Sequence, residues 1–227
     1  MKIGIIVAMS KEFNQIQELL QNKQEKQIGN YNYVIGNLQN KQIILQLSGI
    51  GKVNAAIGTE NLINAFQPDI IISTGVAGGA NNCLEVMDVV ASSCVTYHDV
   101  YCGQNNEYGQ IQDLPARFNT PQDILNKIKS LSTPTKIHQG LIVTGDWFVD
   151  STEKMKEILS HFPEALAVDM ESCAIAQTCY LHNIAFCSFR IISDIPLKEG
   201  NAKQYNDFWL EMANNSFEVT KHFLETL

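Results

Sequence analysis

The stretch that decides the fold is DIIISTGVAGGA, residues 69–80. Its first half is apolar on consecutive residues, which is typical of a strand buried on both faces in a parallel or mixed sheet. The second half places three glycines directly after that strand, where backbone amides can face a ligand in a crevice at the carboxyl edge of the sheet. Taken alone, these glycines are equally compatible with a tight turn that binds nothing.

Along the rest of the chain, short β-branched runs alternate with segments of helical period. This pattern predicts an α/β fold with a central mixed sheet flanked by helices. The 227 residues contain no repeat, linker or low-complexity tract, so we expect one domain over 1–227. The predicted strands are 2–8, 31–35, 42–47, 69–74, 88–96, 140–143, 165–169 and 185–192. The predicted helices are 10–20, 52–65, 121–131, 152–159, 171–181 and a final one near 204–224. In this last helix, Phe208, Met212, Val219 and Phe223 recur at helical spacing, which predicts that one face packs on the sheet.

The composition excludes several classes of partner. The formal net charge is −8 and only two of the 16 basic residues are arginines, whereas a nucleic-acid binder usually carries a basic stripe. No stretch reaches the roughly 20 apolar residues of a membrane span, and the apolar N-terminus is too short for a signal peptide. The six cysteines and five histidines show no metal-ligand spacing. The sequence therefore predicts a cytoplasmic protein without a metal, a nucleic-acid partner or a membrane partner.

The segment Gly49-Ile50-Gly51-Lys52 follows a predicted strand and opens a helix, as phosphate-binding loops do. Val53 stands where the P-loop requires Ser or Thr to reach magnesium. Asn54 stands where the dinucleotide fingerprint requires Gly or Ala. We therefore expect a close backbone approach at this loop, but no phosphate site.

Four carboxylates follow predicted strands, at the edge where such sheets bind ligands. Asp169 and Glu171 lie where a strand gives way to a helix, and Asp194 follows the last predicted strand. A lone Glu on an early helical turn is usually a surface residue, so Glu12 by itself indicates little. An unpaired acid at the end of a buried strand is unusual, which makes Asp194 a stronger candidate for a functional role.

Seven segments, in order along nearly the whole chain, resemble bacterial 5'-methylthioadenosine/S-adenosylhomocysteine nucleosidases. They are IIVAM at 5–9 with Glu12, SGIGKVNAA at 48–56, TGVAGG at 74–79, YHD at 97–99, GLIVTGD at 140–146, VDMES at 168–172 and IISD at 191–194. This resemblance implies a nucleoside phosphorylase-like fold, a homodimer and no cofactor. It also implies hydrolysis of the bond between adenine and a 5'-thio-substituted ribose.

The same resemblance implies roles for four catalytic residues. Asp194 is similar in position to the general acid that protonates adenine N7, and Ser193 to the residue that orients this acid. Glu12 resembles the residue that holds and activates the attacking water, assisted by Arg190. The chemistry requires such a division, because the reaction passes through an oxocarbenium-like ribose and a purine departs poorly as an anion.

Seven further residues match substrate-binding positions of the family: Met9, Ile50, Val76, Phe148, Val149, Met170 and Glu171. Glu171 is expected to bind the ribose hydroxyls, with Met170 beneath the sugar. The ring of Phe148 is expected to stack on adenine while the Val149 backbone bonds to its edge. Met9 and Ile50 are expected to line the sugar and the 5'-thio region.

The sequence departs from the family pattern at three places. Val76 stands where relatives often carry Ser, which implies one polar contact fewer near the ribose. Trp147 replaces a small residue beside Phe148. The 100–118 loop lacks the Phe- and Tyr-rich character of bacterial members, which leaves the size and polarity of the accepted 5' group open.

Three alternatives remain open at this point. A purine nucleoside phosphorylase must bind phosphate, usually with arginine forks; the scarcity of arginine and the negative charge of Glu12 favour water instead. A nucleoside-binding protein without catalysis is expected to have lost Glu12 or Asp194, and both are present. A different purine nucleoside as the substrate is the alternative that the divergent loop leaves.

Overall fold

One mixed sheet runs through nearly the whole chain. A computed structural model of the protein describes residues 1–198, 204–205, 207–209 and 218–227. Within them the strands are β1 (Lys2–Val7), β2 (Gln21–Ile28), β3 (Tyr31–Leu38), β4 (Lys41–Leu47), β5 (Ile70–Gly79), β6 (Val89–Tyr97), β7 (Phe118–Asn119), β8 (Ile137–Thr144), β9 (Ala165–Asp169) and β10 (Ala185–Asp194). The helices are α1 (Ser10–Glu18), α2 (Lys52–Phe66), α3 (Gln122–Lys129), α4 (Thr152–His161), α5 (Ser172–Leu181) and α6 (Glu218–Thr226).

Strand β5 is the branch point of the sheet. It pairs in parallel with β1 and with β10, and its end at Gly78–Gly79 pairs antiparallel with β9. Beyond β1 follow β4, β3 and β2, whereas beyond β10 follow β6, β8 and β9, which returns to β5. Five strands therefore close on themselves, and the predicted central mixed sheet with flanking helices is confirmed.

The run Ile70–Ile72 is buried on both faces, as its sequence predicts. None of its three side chains is more than 4% exposed. Ile70 and Ile72 face a core that contains Phe223 of α6, whereas Ile71 faces a second core that contains Leu62 of α2. Burying one such side chain contributes about 1.5–3 kcal/mol, so both helical layers are held on β5 largely by the hydrophobic effect.

Strands β2 and β7 were not predicted, and several predicted boundaries differ from those in the structure. β2 was not predicted, because its sequence QNKQEKQI has no apolar alternation; the strand is exposed and is held by backbone pairing to β3. β5 continues to Gly79 instead of ending at Thr74, so the glycine cluster is a strand and not a turn, since β10 pairs with it as far as Gly78. Helix α3 begins at Gln122 with Pro121 as its N-cap, one residue later than predicted.

The predicted final helix is confirmed at Glu218–Thr226, and residues 204–205 and 207–209 are also helical. Phe208 and Phe223, two of the residues predicted to pack on the sheet, are buried. Met212, predicted to share that face, lies outside the described residues. None of the helices in the described ranges is long and apolar enough to cross a membrane.

Candidate active site

Ten of the eleven predicted site residues line one cleft. They are Met9, Glu12, Ile50, Val76, Phe148, Val149, Met170, Glu171, Ser193 and Asp194. The cleft encloses about 640 Å3, part of it open to solvent, which is within the range of small-molecule sites. It lies at the carboxyl ends of β1, β9 and β10, where sheets of this kind bind ligands. Arg190 does not line the cleft; it is 1% exposed and contacts carboxylates that do.

Glu12 is a buried carboxylate held by backbone amides. It lies in the first turn of α1 and is only 1% exposed. The expectation that a Glu on an early helical turn lies at the surface is therefore wrong for Glu12. Its Oε2 accepts hydrogen bonds from the N–H groups of Ala8 (3.1 Å) and Met9 (3.0 Å), and its Oε1 accepts one from Val76 (3.0 Å). Burial raises the pKa of the Glu12 carboxyl, while the charge of Arg190 and the amide bonds oppose that rise.

Gly75 allows β5 to approach Glu12 this closely. Its φ of +140° lies in a region that side-chain-bearing residues rarely adopt. A Cβ at this position would collide with Glu12 Oε1 and would lie 3.0 Å from a guanidinium nitrogen of Arg190. The glycine cluster therefore lets β5 approach Glu12 closely, and it does so within a strand.

Arg190 is the charge that balances the buried acids. Its Nε lies 3.0 Å from Asp169 Oδ2, and one terminal nitrogen lies 3.7 Å from Glu171 Oε2. The same terminal nitrogen donates to Ser73 Oγ at 2.8 Å. Asp169 also accepts a hydrogen bond from Thr144 Oγ1 at 2.6 Å. These contacts hold the guanidinium in place, so its positive charge stays at a fixed distance from the carboxylates of the cleft.

Glu171 faces the cleft from the N-terminus of α5 and is 6% exposed. Its Oε1 accepts a hydrogen bond of 3.0 Å from the N–H of Gly51. The predicted close approach of the Gly49–Lys52 loop is therefore directed at a carboxylate of the chain itself. Burial raises the pKa of Glu171 to about 7; Arg190 lowers it and neighbouring Asp169 raises it further.

Asp194 ends β10 at an irregularity in the pairing with β5, where one extra residue turns the side chain into the cleft. It is 4% exposed, and its Oδ1 accepts a hydrogen bond of 2.7 Å from Ser193 Oγ. Burial raises the pKa of Asp194 to about 6, and the bond from Ser193 opposes that rise. Asp194 can therefore hold a proton near neutral pH.

The remaining walls of the cleft are mostly apolar. Phe148 is 56% exposed at the mouth, whereas Val149 beside it is buried. The ring of Tyr205 lies edge-on to Phe148 with the centroids 5.7 Å apart, and its hydroxyl is 4.0 Å from Met9 Sδ. A flat ligand that enters here meets an aromatic ring at the mouth and aliphatic or thioether groups inside.

The sequence prediction gave no role in the site to several lining residues, among them Trp147, Asp169 and Tyr205. The sequence did indicate that Asp169 lies near the site, because it stands two positions before Glu171 at the end of a predicted strand. The same holds for Trp147, as the neighbour of Phe148. Nothing indicated Tyr205, because the helical pattern near the C-terminus indicated only residues that pack on the sheet.

The charge in the cleft is strongly one-sided. Four carboxylates line it, those of Glu12, Asp169, Glu171 and Asp194, against the single guanidinium of Arg190 behind them. A phosphate dianion placed here meets net repulsion. Among the described residues, no group of His, Cys, Asp and Glu side chains is arranged to hold a metal ion.

Comparisons with known proteins agree with this arrangement. The family model described as "Phosphorylase superfamily" matches residues 2–225. A 5'-methylthioadenosine/S-adenosylhomocysteine nucleosidase of an Exiguobacterium species is 42% identical over 96% of this chain and 95% of its own length. The nucleosidase of Neisseria meningitidis in complex with methylthio-immucillin-A superposes with a TM-score of 0.92 at 36% identity, over 100% of this chain and 99% of that one. The Streptococcus pneumoniae enzyme with 8-aminoadenine gives 0.92 and 36%, with both chains fully covered.

Proposed function

The chain belongs to the 5'-methylthioadenosine/S-adenosylhomocysteine nucleosidase family of the phosphorylase superfamily, and we propose that it hydrolyses the N-glycosidic bond of these two nucleosides with Asp194 as general acid and Glu12 as the residue that activates water. One observation carries this assignment of residues: both carboxylates are buried and line the same cleft. The products are adenine and the 5-thio-substituted ribose. No cofactor takes part.

Asp194 protonates the leaving group. When the bond between C1' and N9 breaks, its electron pair passes to adenine, which departs poorly as an anion. A proton from Asp194 to N7 makes the leaving base neutral. With its pKa raised to about 6, Asp194 carries a proton near neutral pH far more often than an exposed Asp does, and it can release that proton to a base that gains negative charge. Ser193 keeps the carboxyl in one orientation through its 2.7 Å bond.

Glu12 acts on the face of the ribose opposite the departing adenine. Its two oxygens already accept three amide hydrogen bonds, but a carboxylate offers about four acceptor positions, so a water molecule can also be held. As the oxygen of that water forms a bond to C1', its proton passes to Glu12. The negative charges of Glu12 and Glu171 stabilise the developing oxocarbenium ion, which lowers the barrier electrostatically. Arg190 keeps these acids from repelling one another.

The other cleft residues hold the substrate. We assign the ribose hydroxyls to Glu171 and the space beneath the sugar to Met170. Phe148 supplies a ring for stacking on adenine, and Val149 supplies backbone groups for its edge. Met9 and Ile50 form an apolar site for the 5'-thio group. The amide of Val76 is already bound to Glu12 and its side chain is apolar, so it adds no polar group for the ribose.

Water is favoured over phosphate as the nucleophile by the charge of the site. The guanidinium of Arg190 is already engaged by Asp169 and Glu171, which leaves no free arginine fork for a dianion.

A nucleoside-binding protein without catalysis is disfavoured for a different reason. Four buried acids cost stability, and both Glu12 and Asp194 are retained in geometry suited to catalysis.

We further propose that the protein is a cytoplasmic homodimer. Helices α2 and α5 pack against each other and expose large apolar side chains, with Val53 67%, Ile57 50% and Leu181 60% accessible. Large apolar side chains exposed on two neighbouring helices favour a protein interface at this face. All six cysteines are free thiols, which fits a reducing compartment. Light scattering should give about twice the 25.3 kDa of one chain; a single-chain mass would contradict the dimer.

A substrate panel tests the proposed reaction. The purified protein is incubated with 5'-methylthioadenosine, S-adenosylhomocysteine, adenosine and inosine, each with and without phosphate, and products are separated by chromatography. We expect adenine from the two thio-nucleosides at rates that phosphate does not change. A strict requirement for phosphate would identify a phosphorylase. Preferred release from adenosine or inosine would identify a different purine nucleoside as the substrate.

A further inference from the structure

Three sequence motifs have no role in the reaction described above, and the structure brings them together. They are the Gly51-Lys52 pair at the start of α2, the Asp99 that follows β6, and the Gly145-Asp146 pair that follows β8. All three lie at the carboxyl edge of the sheet, beside the cleft. Lys52, Asp99 and Asp146 belong to neither the catalytic nor the substrate-binding residues assigned above.

The polar groups of these motifs form a closed ring of hydrogen bonds. Lys52 Nζ lies 2.8 Å from Asp99 Oδ2. The same Asp99 oxygen accepts the backbone N–H of Asp146 at 2.9 Å. Asp146 Oδ1 in turn accepts the backbone N–H of Lys52 at 2.8 Å, which completes the ring. Each of the three residues therefore bonds to the other two.

The ring joins the two walls of the cleft. On one side, Gly51 directly precedes Lys52 and donates its N–H to Glu171, the acid assigned to the ribose hydroxyls. On the other side, Phe148 and Val149, assigned to adenine, stand two and three residues after Asp146. A shift of Asp146 relative to Lys52 would therefore change the distance between the ribose wall and the adenine wall.

Helix α2 also depends on this ring for its N-terminus. Its N-cap is Gly51, which has no side chain to cap the helix, and its first turn contains no acidic residue. Asp146 supplies from another loop the carboxylate that helix N-termini favour. The position of α2, and with it the Gly51 amide, is thereby tied to the loop that carries Phe148.

We propose that Lys52, Asp99 and Asp146 are positioning residues that set the spacing between the adenine wall and the ribose carboxylate of the cleft. This inference rests on the proposed nucleosidase reaction. None of the three touches the acid Asp194 or the water-activating Glu12, so the ring acts on substrate affinity more than on the chemical step. The side chains of Lys52 and Asp99 are 23% and 28% exposed, so the effect is moderate in size.

The variant Asp146→Ala opens the ring at one bond, the one that its carboxylate accepts from the Lys52 amide, because the backbone N–H at position 146 can still donate to Asp99. We expect KM for 5'-methylthioadenosine and Kd for free adenine each to rise about tenfold, while kcat changes less than threefold, because misplaced binding groups lose affinity steeply. Asp146→Asn keeps an oxygen that can accept the Lys52 amide and should recover most of the affinity. Lys52→Met, which removes the ion pair with Asp99 and the contact of the ammonium with the Tyr97 ring, should raise both constants about threefold.

Asp123→Ala is the matched control, because Asp123, like Asp146, is an exposed acid beside a helix N-terminus, but it lies in the first turn of α3, away from the cleft. It should leave KM and the adenine Kd unchanged. The proposal is overturned if Asp146→Ala and Lys52→Met, both folded by circular dichroism, keep the two constants within twofold of the parent, or if Asp123→Ala raises them equally. Calorimetric titration with adenine needs no turnover, so it tests the ring even if the parent chain fails to hydrolyse the thio-nucleosides.

Discussion

The substitution Asp194→Asn should remove activity and stabilise the fold, and the structure gives the size of the second effect. Burial raises the pKa of Asp194 to about 6, whereas an exposed Asp titrates near 3.9. The folded chain therefore holds this proton more tightly than the unfolded chain, and stability falls as the pH rises between those two values. A difference of about two pH units corresponds to about 3 kcal/mol.

Asparagine is neutral at every pH and can still accept the hydrogen bond from Ser193 through its own Oδ1. The variant should therefore match the parent below pH 4 and exceed its free energy of unfolding by about 3 kcal/mol at pH 8. For a chain of this length that gain corresponds to a Tm higher by about 6–12 °C. Turnover of 5'-methylthioadenosine should fall at least about a hundredfold, the usual scale for losing a general acid.

Urea unfolding at pH 4 and pH 8 measures this difference for the parent and for Asp194→Asn. Asp123→Asn, which replaces an exposed acid on α3, serves as the control and should gain nothing at either pH. If Asp194→Asn is no more stable than the parent at pH 8, or if its advantage is the same at both pH values, the buried-acid reasoning is refuted.

Three further substitutions separate the parts of the cleft. Glu12→Gln should reduce adenine release by more than about a hundredfold while adenine still binds with near-parent affinity in calorimetric titration; loss of binding as well would assign Glu12 a different role. Phe148→Ala should weaken adenine binding by about 1–3 kcal/mol, as expected for the loss of base stacking, and an unchanged Kd would exclude that ring as the stacking partner. Gly75→Ala should lower the free energy of unfolding by about 2 kcal/mol or more, because its φ is +140° and the new Cβ collides with Glu12; a stable and fully active variant would show that β5 need not approach so closely.

Elements with a strong apolar pattern could be predicted from the sequence, because burial alone determines them. The run Ile70–Ile72 is the clearest case: consecutive β-branched residues required a strand covered on both faces. Strand β2 could not be predicted in this way. Its exposed polar residues form a strand only because the backbone of β3 pairs with them. Such pairing does not require particular side chains, so the sequence does not indicate it.

The glycines after Thr74 show a second limit. Glycine clusters usually mark turns, yet Gly75 and Gly78 continue β5, because β10 pairs with this segment and leaves no room for larger residues beside Glu12. The sequence left a ligand-facing segment and a tight turn open for these glycines, and it did not predict that the strand continues through them. That continuation depends on a strand more than a hundred residues away along the chain, which local pattern cannot reveal.

The site itself was predicted mainly from the resemblance to a family. The residues alone indicated acids at strand ends, and they ranked Asp194 above Glu12. The burial of Glu12 depends on amides of the first βα turn and of β5, so its environment is visible only in three dimensions. Asp169 was named among the acids at strand ends but received no role, because its ion pair with Arg190 joins β9 and β10, which do not pair with each other in the sheet.

The division of work between the two acids can be tested most directly with a substrate whose leaving group needs no proton, such as the p-nitrophenyl glycoside of 5-methylthioribose. Release of p-nitrophenolate is followed by absorbance for the parent, Asp194→Asn and Glu12→Gln. We predict that Asp194→Asn stays within about tenfold of the parent on this substrate despite its loss on 5'-methylthioadenosine, whereas Glu12→Gln fails on both. Equal impairment of Asp194→Asn on the two substrates would contradict its role as the proton donor to adenine.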